Sequence, residues 1–92
     1  MKELKENLLK EFPKDKVNEL FNYLEEIEKE KDKEKIAEKL EKAQEIENEL
    51  YELKNDPNLI EVQVIINGYR YEYDITDPRE IINYDNGKGF VQ

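Results

Sequence analysis

The 92-residue sequence predicts a single α+β domain over residues 1–92, with a helical region at 1–55 and a β region at 56–92. The composition changes abruptly at Asn55-Asp56-Pro57-Asn58. The residues before this segment include no glycine and one proline, whereas all three glycines and four of the six tyrosines follow it. Because the β region is too short to be stable alone, we expect its sheet to pack on the helices.

Two helices are predicted in the first third of the chain. In the first, expected over Lys2–Glu11, apolar residues recur at helical spacing. Pro13 is expected to end this helix, because a proline disfavours the helical backbone conformation of the residue before it. The second is expected to begin at Pro13 or Lys14, because proline suits the first turn of a helix. Its apolar residues fall within an arc of about 120°. They are Val17, Leu20, Phe21, Leu24 and Ile27.

Eight consecutive charged residues, 28–35, follow the second helix. A continuous helix would rotate by about 900° between Ile27 and Ile36, which places these two side chains on opposite sides. A turn at Glu30–Asp32, with Asp32 as the N-cap of the next helix, lets both face one core. We therefore predict a helical hairpin. A continuous helix is the alternative, because the segment contains no Gly, Pro or Asn.

The third helix is predicted to end near Lys54. Its apolar residues occupy two positions of a seven-residue repeat. This pattern favours left-handed supercoiled packing against another helix. These residues are Ile36, Ala43, Ile46, Leu50 and Leu53. Packing within the chain is the preferred interpretation, and a homodimer through these residues is the alternative. Exposure of Glu47 would favour a monomer, whereas its burial beside Lys39 of a second copy would favour the dimer.

A β-hairpin is predicted over residues 60–75. Asn67-Gly68 is the preferred central pair of a two-residue type I′ turn, in which both residues need φ > 0. With that turn, one face of the ribbon carries all the apolar residues of an alternating pattern. They are Ile60, Val62, Val64, Ile66, Tyr69, Tyr71, Tyr73 and Ile75. We interpret the tyrosines as core residues, because a stacking platform for single-stranded nucleic acid would need a basic groove.

The tail, residues 77–92, fits two structures. Asp85-Asn86-Gly87-Lys88 predicts a second hairpin over 81–92, which would complete a four-stranded antiparallel meander. Alternatively, Asp77-Pro78-Arg79-Glu80 resembles a helix start, with an N-cap Asp, Pro at the first position and Glu three residues after the cap. The hairpin is the preferred interpretation.

The composition restricts the chemistry that the chain can perform. It contains no His, Cys, Trp or Ser, which rules out Ser/His/Asp and Cys/His triads and an ordinary zinc site. We therefore expect a non-enzymatic protein without cofactor or metal. A calcium loop around Gly89 is rejected, because it would place Tyr84 at the first ligand position. A looser cation site is the alternative. Its ligands would be Asp74, Asp77, Glu80 and Asp85.

The net charge is −9, from 15 basic and 24 acidic residues. Such a charge repels nucleic acid and anionic membranes and attracts basic protein surfaces. No apolar run approaches the length of a membrane span, and the charged start lacks the apolar stretch of an export signal. We expect a cytoplasmic protein that binds neither membrane nor nucleic acid directly.

The segment 45–61 is the most acidic of the chain, with Lys54 as its one basic residue. Together with the polar face of the predicted hairpin, it yields the candidate partner-binding residues. They are Glu45, Glu49, Glu52, Asp56, Glu61, Glu72 and Asp74. Their carboxylates could stand in for phosphates in the basic, nucleic-acid-binding cleft of a partner protein, where charge complementarity speeds association and makes it salt-sensitive.

The sequence thus predicts a small acidic inhibitor or regulator that binds a basic surface of a partner protein. Two alternatives stay open. The first is a structural module that forms a homodimer through the seam of its third helix. The second is a designed domain without biological function, which the Lys/Glu-rich helices would also fit.

Overall fold

A computed structural model describes residues 1–76, in which the regular secondary structure is helical throughout. The helices are α1 (Lys2–Leu9), α2 (Lys14–Lys29), α3 (Lys33–Leu53) and α4 (Pro57–Tyr73). Helix α2 lies along α3, α4 also packs on α3, and α1 contacts both α2 and α4. The four helices share one apolar core. Its buried members are Leu4, Leu8, Phe12, Val17, Leu20, Phe21, Leu24, Ile27, Ile36, Leu40, Ala43, Ile46, Leu50, Leu59, Val62 and Ile66.

The predictions for the first two helices are confirmed. Helix α1 ends at Leu9, two residues before the predicted Glu11, and α2 begins at Lys14, directly after Pro13. All five apolar residues predicted for the core side of α2 are buried. The two-faced pattern of this charged segment therefore suffices to orient it on the core.

The predicted helical hairpin is also confirmed. Helix α2 ends at Lys29 and α3 begins at Lys33, with Asp32 as its N-cap. The Asp32 Oδ1 atom accepts a hydrogen bond from the Glu34 backbone N–H at 3.0 Å. Because the turn interrupts the helix, Ile27 and Ile36 are not held on opposite sides of one continuous helix. Both lie in the core with 0% exposure.

The predicted α+β fold with its β-meander is wrong for the described residues, because residues 60–73 of the predicted hairpin 60–75 lie in α4 and residues 74 and 75 follow the helix without forming a strand. No glycine in residues 1–76 has a positive φ, so Asn67-Gly68 does not form the type I′ turn. Asp56 instead caps a helix whose first residue is Pro57. The second predicted hairpin, 81–92, and the alternative helix start at Asp77 lie outside the described residues.

Helical geometry also divides the row of apolar residues that the hairpin would have kept on one face. Val62 and Ile66 are buried at 0% exposure, whereas Ile60 is 57% and Val64 62% exposed. Of the three tyrosines interpreted as core, Tyr69 and Tyr73 are half-buried against the core. The third, Tyr71, is 91% exposed, so its assignment to the core is wrong.

The interface between α3 and α4 contains a buried polar network. Gln44 donates from Nε2 to Glu47 Oε1 at 2.7 Å and accepts at Oε1 from Arg70 Nη1 at 3.4 Å. Arg70 Nη1 also donates to Asn67 Oδ1 at 3.0 Å. Within residues 1–76, no buried side-chain N or O atom lacks a hydrogen-bond partner. The bond from Arg70 to Gln44 joins the last turn of α4 to the middle of α3.

Candidate partner-binding surface

The outward side of α3 carries a row of exposed glutamates. At 100° per residue, six of them fall within an arc of about 80°, and the row extends over about 27 Å at 1.5 Å per residue. They are Glu34, Glu38, Glu41, Glu45, Glu49 and Glu52, and all are exposed. We call these six residues the α3 glutamate row. It adds three glutamates, Glu34, Glu38 and Glu41, on the N-terminal side of the predicted acidic segment 45–61.

One member of the row is neutralised by a lysine. Lys16 Nζ on α2 lies 2.8 Å from Glu49 Oε1, and this hydrogen bond raises the pKa of the Lys16 ammonium group above its ordinary value. The other five members make no ion pair within residues 1–76. Because like charges three or four residues apart on a helix repel one another, the neighbouring carboxylates of the row disfavour each other.

Three of the predicted binding residues, Glu45, Glu49 and Glu52, lie together in the α3 glutamate row. Asp56 does not join them, because it is buried at 5% exposure and caps α4. Its Oδ1 accepts hydrogen bonds from the Asn58 backbone N–H at 2.8 Å and from Asn58 Nδ2 at 2.9 Å. The bond from the backbone N–H is the main cause that lowers the pKa of the Asp56 carboxyl. The Asp56 carboxylate therefore stabilises the N-terminus of α4 as its cap.

The remaining predicted residues belong to α4 and its end. Glu61 and Glu72 are exposed, and their separation of 11 residues places them about 20° apart on the helix. Glu61 lies nine residues from Arg70, so it is on the side of α4 opposite the contact with α3. Asp74 follows the helix in the left-handed conformation, with φ 56°. The acidic side chains therefore form two separate groups, one on α3 and one on α4.

The residues proposed for a homodimer seam lie mostly within the fold. Ile36, Ala43, Ile46 and Leu50 are at most 5% exposed, whereas Leu53 is 63% exposed. Glu47 is buried beside Gln44 of its own chain, an arrangement that neither the predicted monomer nor the predicted dimer included. Four of the five seam residues are thus covered by the chain itself.

Sequence reasoning missed Glu34, Glu38 and Glu41 because it followed the local density of acidic residues. Glu34, Glu38, Glu41 and Glu45 follow one another at intervals of four, three and four residues, a helical spacing that was visible in the sequence and could have identified them. Arg70 was also missed as a buried residue. Nothing in the local pattern distinguishes it from an exposed arginine.

Neither a metal-binding cluster nor a membrane-spanning helix occurs in the described part of the chain. No group of three potential metal ligands occurs within residues 1–76. Asp74 of the alternative cation site is exposed there, while Asp77, Glu80 and Asp85 lie beyond the described residues. None of the helices α1–α4 combines the length and the apolar character that crossing a membrane requires.

The chain matches no protein-family model, no curated protein and no solved structure.

Proposed function

We propose that the protein is a non-enzymatic, cytoplasmic binding domain whose α3 glutamate row engages a basic surface of a partner protein and thereby inhibits or regulates it. The observation that carries this proposal is the row itself: six exposed glutamates, of which one is ion-paired within residues 1–76. A basic surface that fits the row would relieve the repulsion between neighbouring carboxylates.

The chemistry of the row favours a protein partner over nucleic acid. A net charge of −9 repels phosphate backbones, whereas a row of carboxylates resembles one strand of phosphates to a basic cleft. Association driven by such charges is fast at low ionic strength and weakens steeply as salt is added. Salt sensitivity is therefore the first property to measure.

The experiment begins with affinity capture on the tagged full chain at low and high salt, followed by identification of the captured protein by mass spectrometry. Binding of the purified partner is then measured for Glu41→Gln/Glu45→Gln/Glu52→Gln. The matched control is Glu6→Gln/Glu19→Gln/Glu25→Gln, which removes the same charge from exposed positions on α1 and α2. We expect the α3 variant to lose at least about tenfold in affinity relative to the control.

Two results would contradict the proposal. Equal weakening by both triple variants would show that only net charge matters. Capture that does not change with salt, or no capture at low salt, would show that carboxylates do not drive binding.

A further inference from the structure

The outward side of α4 presents an apolar stripe, formed by Ile60, Val64 and Tyr71. These side chains are 57%, 62% and 91% exposed, respectively. At 100° per residue they fall within an arc of about 40°, and the stripe extends over about 16 Å. Helix α4 therefore has two apolar sides, one in the core and one at the surface. An exposed row of this kind at helical spacing is typical of a helix–helix contact.

Gly68 lies beside this stripe, one turn after Val64 and just before Tyr71. A glycine inside a helix destabilises it relative to alanine. A Cβ atom added at Gly68 would meet no other atom within 4 Å, so packing inside the protein does not require a glycine there. The missing side chain leaves a notch through which a second backbone can approach α4 closely.

Acidic residues flank the stripe on both sides. Glu61 and Glu72 border it on the side away from α3. On the other side, the bond between Arg70 and Gln44 sets α3 next to α4, and Glu38 and Glu41 of the α3 glutamate row line the same groove as Arg70. A helix seated on the stripe would thus have Glu61 and Glu72 along one edge, with Glu38 and Glu41 near the other edge at the end of α4.

This charge distribution favours a helix of a partner protein over a second copy of the chain as the occupant of the stripe. In a symmetric antiparallel pair of α4 helices, the Glu61 end of one copy would approach the Glu72 end of the other. Each copy also brings a net charge of −9. Both effects oppose self-association, whereas lysines or arginines flanking an apolar seam would complement the two acidic borders.

We infer that the α4 stripe, with the notch at Gly68, binds an amphipathic helix of the partner protein that carries an aliphatic seam between two rows of lysine or arginine. This inference rests on the proposed function, because it identifies the basic surface as a helix. It adds a second contact area, in which apolar burial supplies affinity and the α3 glutamate row and Glu61/Glu72 select the basic flanks.

The test uses three stapled helical peptides and the full chain, with binding measured by fluorescence anisotropy. The first has a leucine seam and lysine flanks, the second a leucine seam and glutamate flanks, and the third a glutamine seam and lysine flanks. We expect the first peptide to bind at least about tenfold more tightly than either of the others. If the leucine–lysine peptide does not bind at its highest soluble concentration, the inference is overturned.

Variants of the protein locate the contact. Val64→Glu should weaken the leucine–lysine peptide by about tenfold or more, whereas Asn22→Glu, which adds the same charge to an exposed position of α2, should not. Gly68→Ala should weaken it several-fold while raising the melting temperature, a combination that loss of folding cannot produce. Circular dichroism confirms that each variant retains its helices. Full binding to Val64→Glu and Gly68→Ala would overturn the inference.

The outcomes separate the inference from the proposed function. If both lysine peptides bind equally and only Glu41→Gln/Glu45→Gln/Glu52→Gln weakens them, the acidic surface is supported and the apolar contact is overturned. If the leucine–lysine peptide binds through Val64 but ignores that triple variant and salt, the proposed function fails while an apolar docking site stands. A dimer in sedimentation equilibrium that Val64→Glu dissociates would assign the stripe to a second copy and overturn the inference.

Discussion

The α2–α3 pair and helix α4 are held in the protein by different interactions. Between α2 and α3 the contact is apolar, and ion pairs such as Lys39–Glu26, at 3.4 Å, lie at its edge. The contact of α4 with α3 instead includes the buried polar network around Gln44, and α4 leaves Val64 at the surface. Apolar burial thus builds the α2–α3 pair, whereas α4 combines apolar burial of Leu59, Val62 and Ile66 with a buried polar contact and a partly apolar outward face.

The largest expected effect tests the apolar side of this comparison. Leu24→Ala on α2 removes a side chain with 0% exposure and should lower the free energy of unfolding by about 2–5 kcal/mol. Val64→Ala on α4 should change it by less than about 0.5 kcal/mol, because that side chain is exposed. Urea denaturation of both variants measures the difference. Similar losses for the two would mean that the outward face of α4 contributes to folding.

The polar attachment of α4 is tested by Gln44→Leu. This change removes two buried hydrogen bonds, the one from Gln44 to Glu47 and the one from Arg70 to Gln44, so we expect a loss of about 1–3 kcal/mol in the free energy of unfolding. The control is Glu26→Gln at the edge of the α2–α3 pair, with an expected loss below about 1 kcal/mol. Equal losses by urea denaturation would remove the distinction between the two interfaces.

The start of α4 is tested by changing its cap. Asp56→Ala should cost about 1 kcal/mol in the free energy of unfolding, while Asp56→Asn, which keeps an acceptor oxygen, should cost less. Amide hydrogen exchange across α4 would show whether the loss is local. A cost for Asp56→Asn as large as that for Asp56→Ala would contradict the capping role.

The Asp56 carboxylate makes the free energy of unfolding depend on pH, and the direction of its pKa shift gives the sign of this dependence. The pKa of Asp56 is lower in the folded protein than its ordinary value of 3.8, so its stabilisation is present above that value and is lost as pH falls through the folded pKa. Urea denaturation between about pH 6 and about pH 3 should therefore show a smaller decline for Asp56→Asn than for the unsubstituted protein. Parallel declines would show that the carboxylate is not stabilised by folding.

The smallest expected effect concerns the end of α4. Asp74 has φ 56° and lies at the C-terminus of the helix, where a negative charge is unfavourable. Asp74→Gly should raise the free energy of unfolding by about 0.5–1 kcal/mol, since glycine adopts this conformation without a steric cost. Glu72→Gly, inside the helix, should lower it by a similar amount. A loss for Asp74→Gly would indicate that its side chain stabilises the helix end.

The sequence sufficed to predict α2, its turn and α3 because several local signals agree there. The rotation between Ile27 and Ile36 requires a break, and Asp32 supplies the cap. In α4 the signals conflict, since Val62 and Ile66 suit either a strand or a helix. Asn67-Gly68 is a preferred pair for a hairpin turn. Asp56-Pro57 instead favours the start of a helix, and that helix packs on α3. That contact between distant segments was not visible in local pattern.

The candidate surface was predictable to a similar extent. Local charge density identified Glu45, Glu49 and Glu52, and helical spacing would have extended the row along α3. The separation of Glu61 from that row could not be predicted, because it depends on the rotation of α4 about its own axis. That rotation accompanies the burial of Val62 and Ile66 and the contact of Arg70 with Gln44, which involve segments distant in sequence.

The buried network around Gln44 has a consequence for the uniqueness of the fold. Helix α4 is apolar on two sides, so hydrophobicity alone would allow it to lie on α3 with Ile60 and Val64 inward instead of Val62 and Ile66. Such a rotated state would separate Arg70 from the buried Gln44 and lose the hydrogen bond between them. We expect the network to select one rotational register, so that Gln44→Leu should give two sets of α4 amide signals by NMR. A single, unshifted set would show that apolar side-chain shape alone sets the orientation.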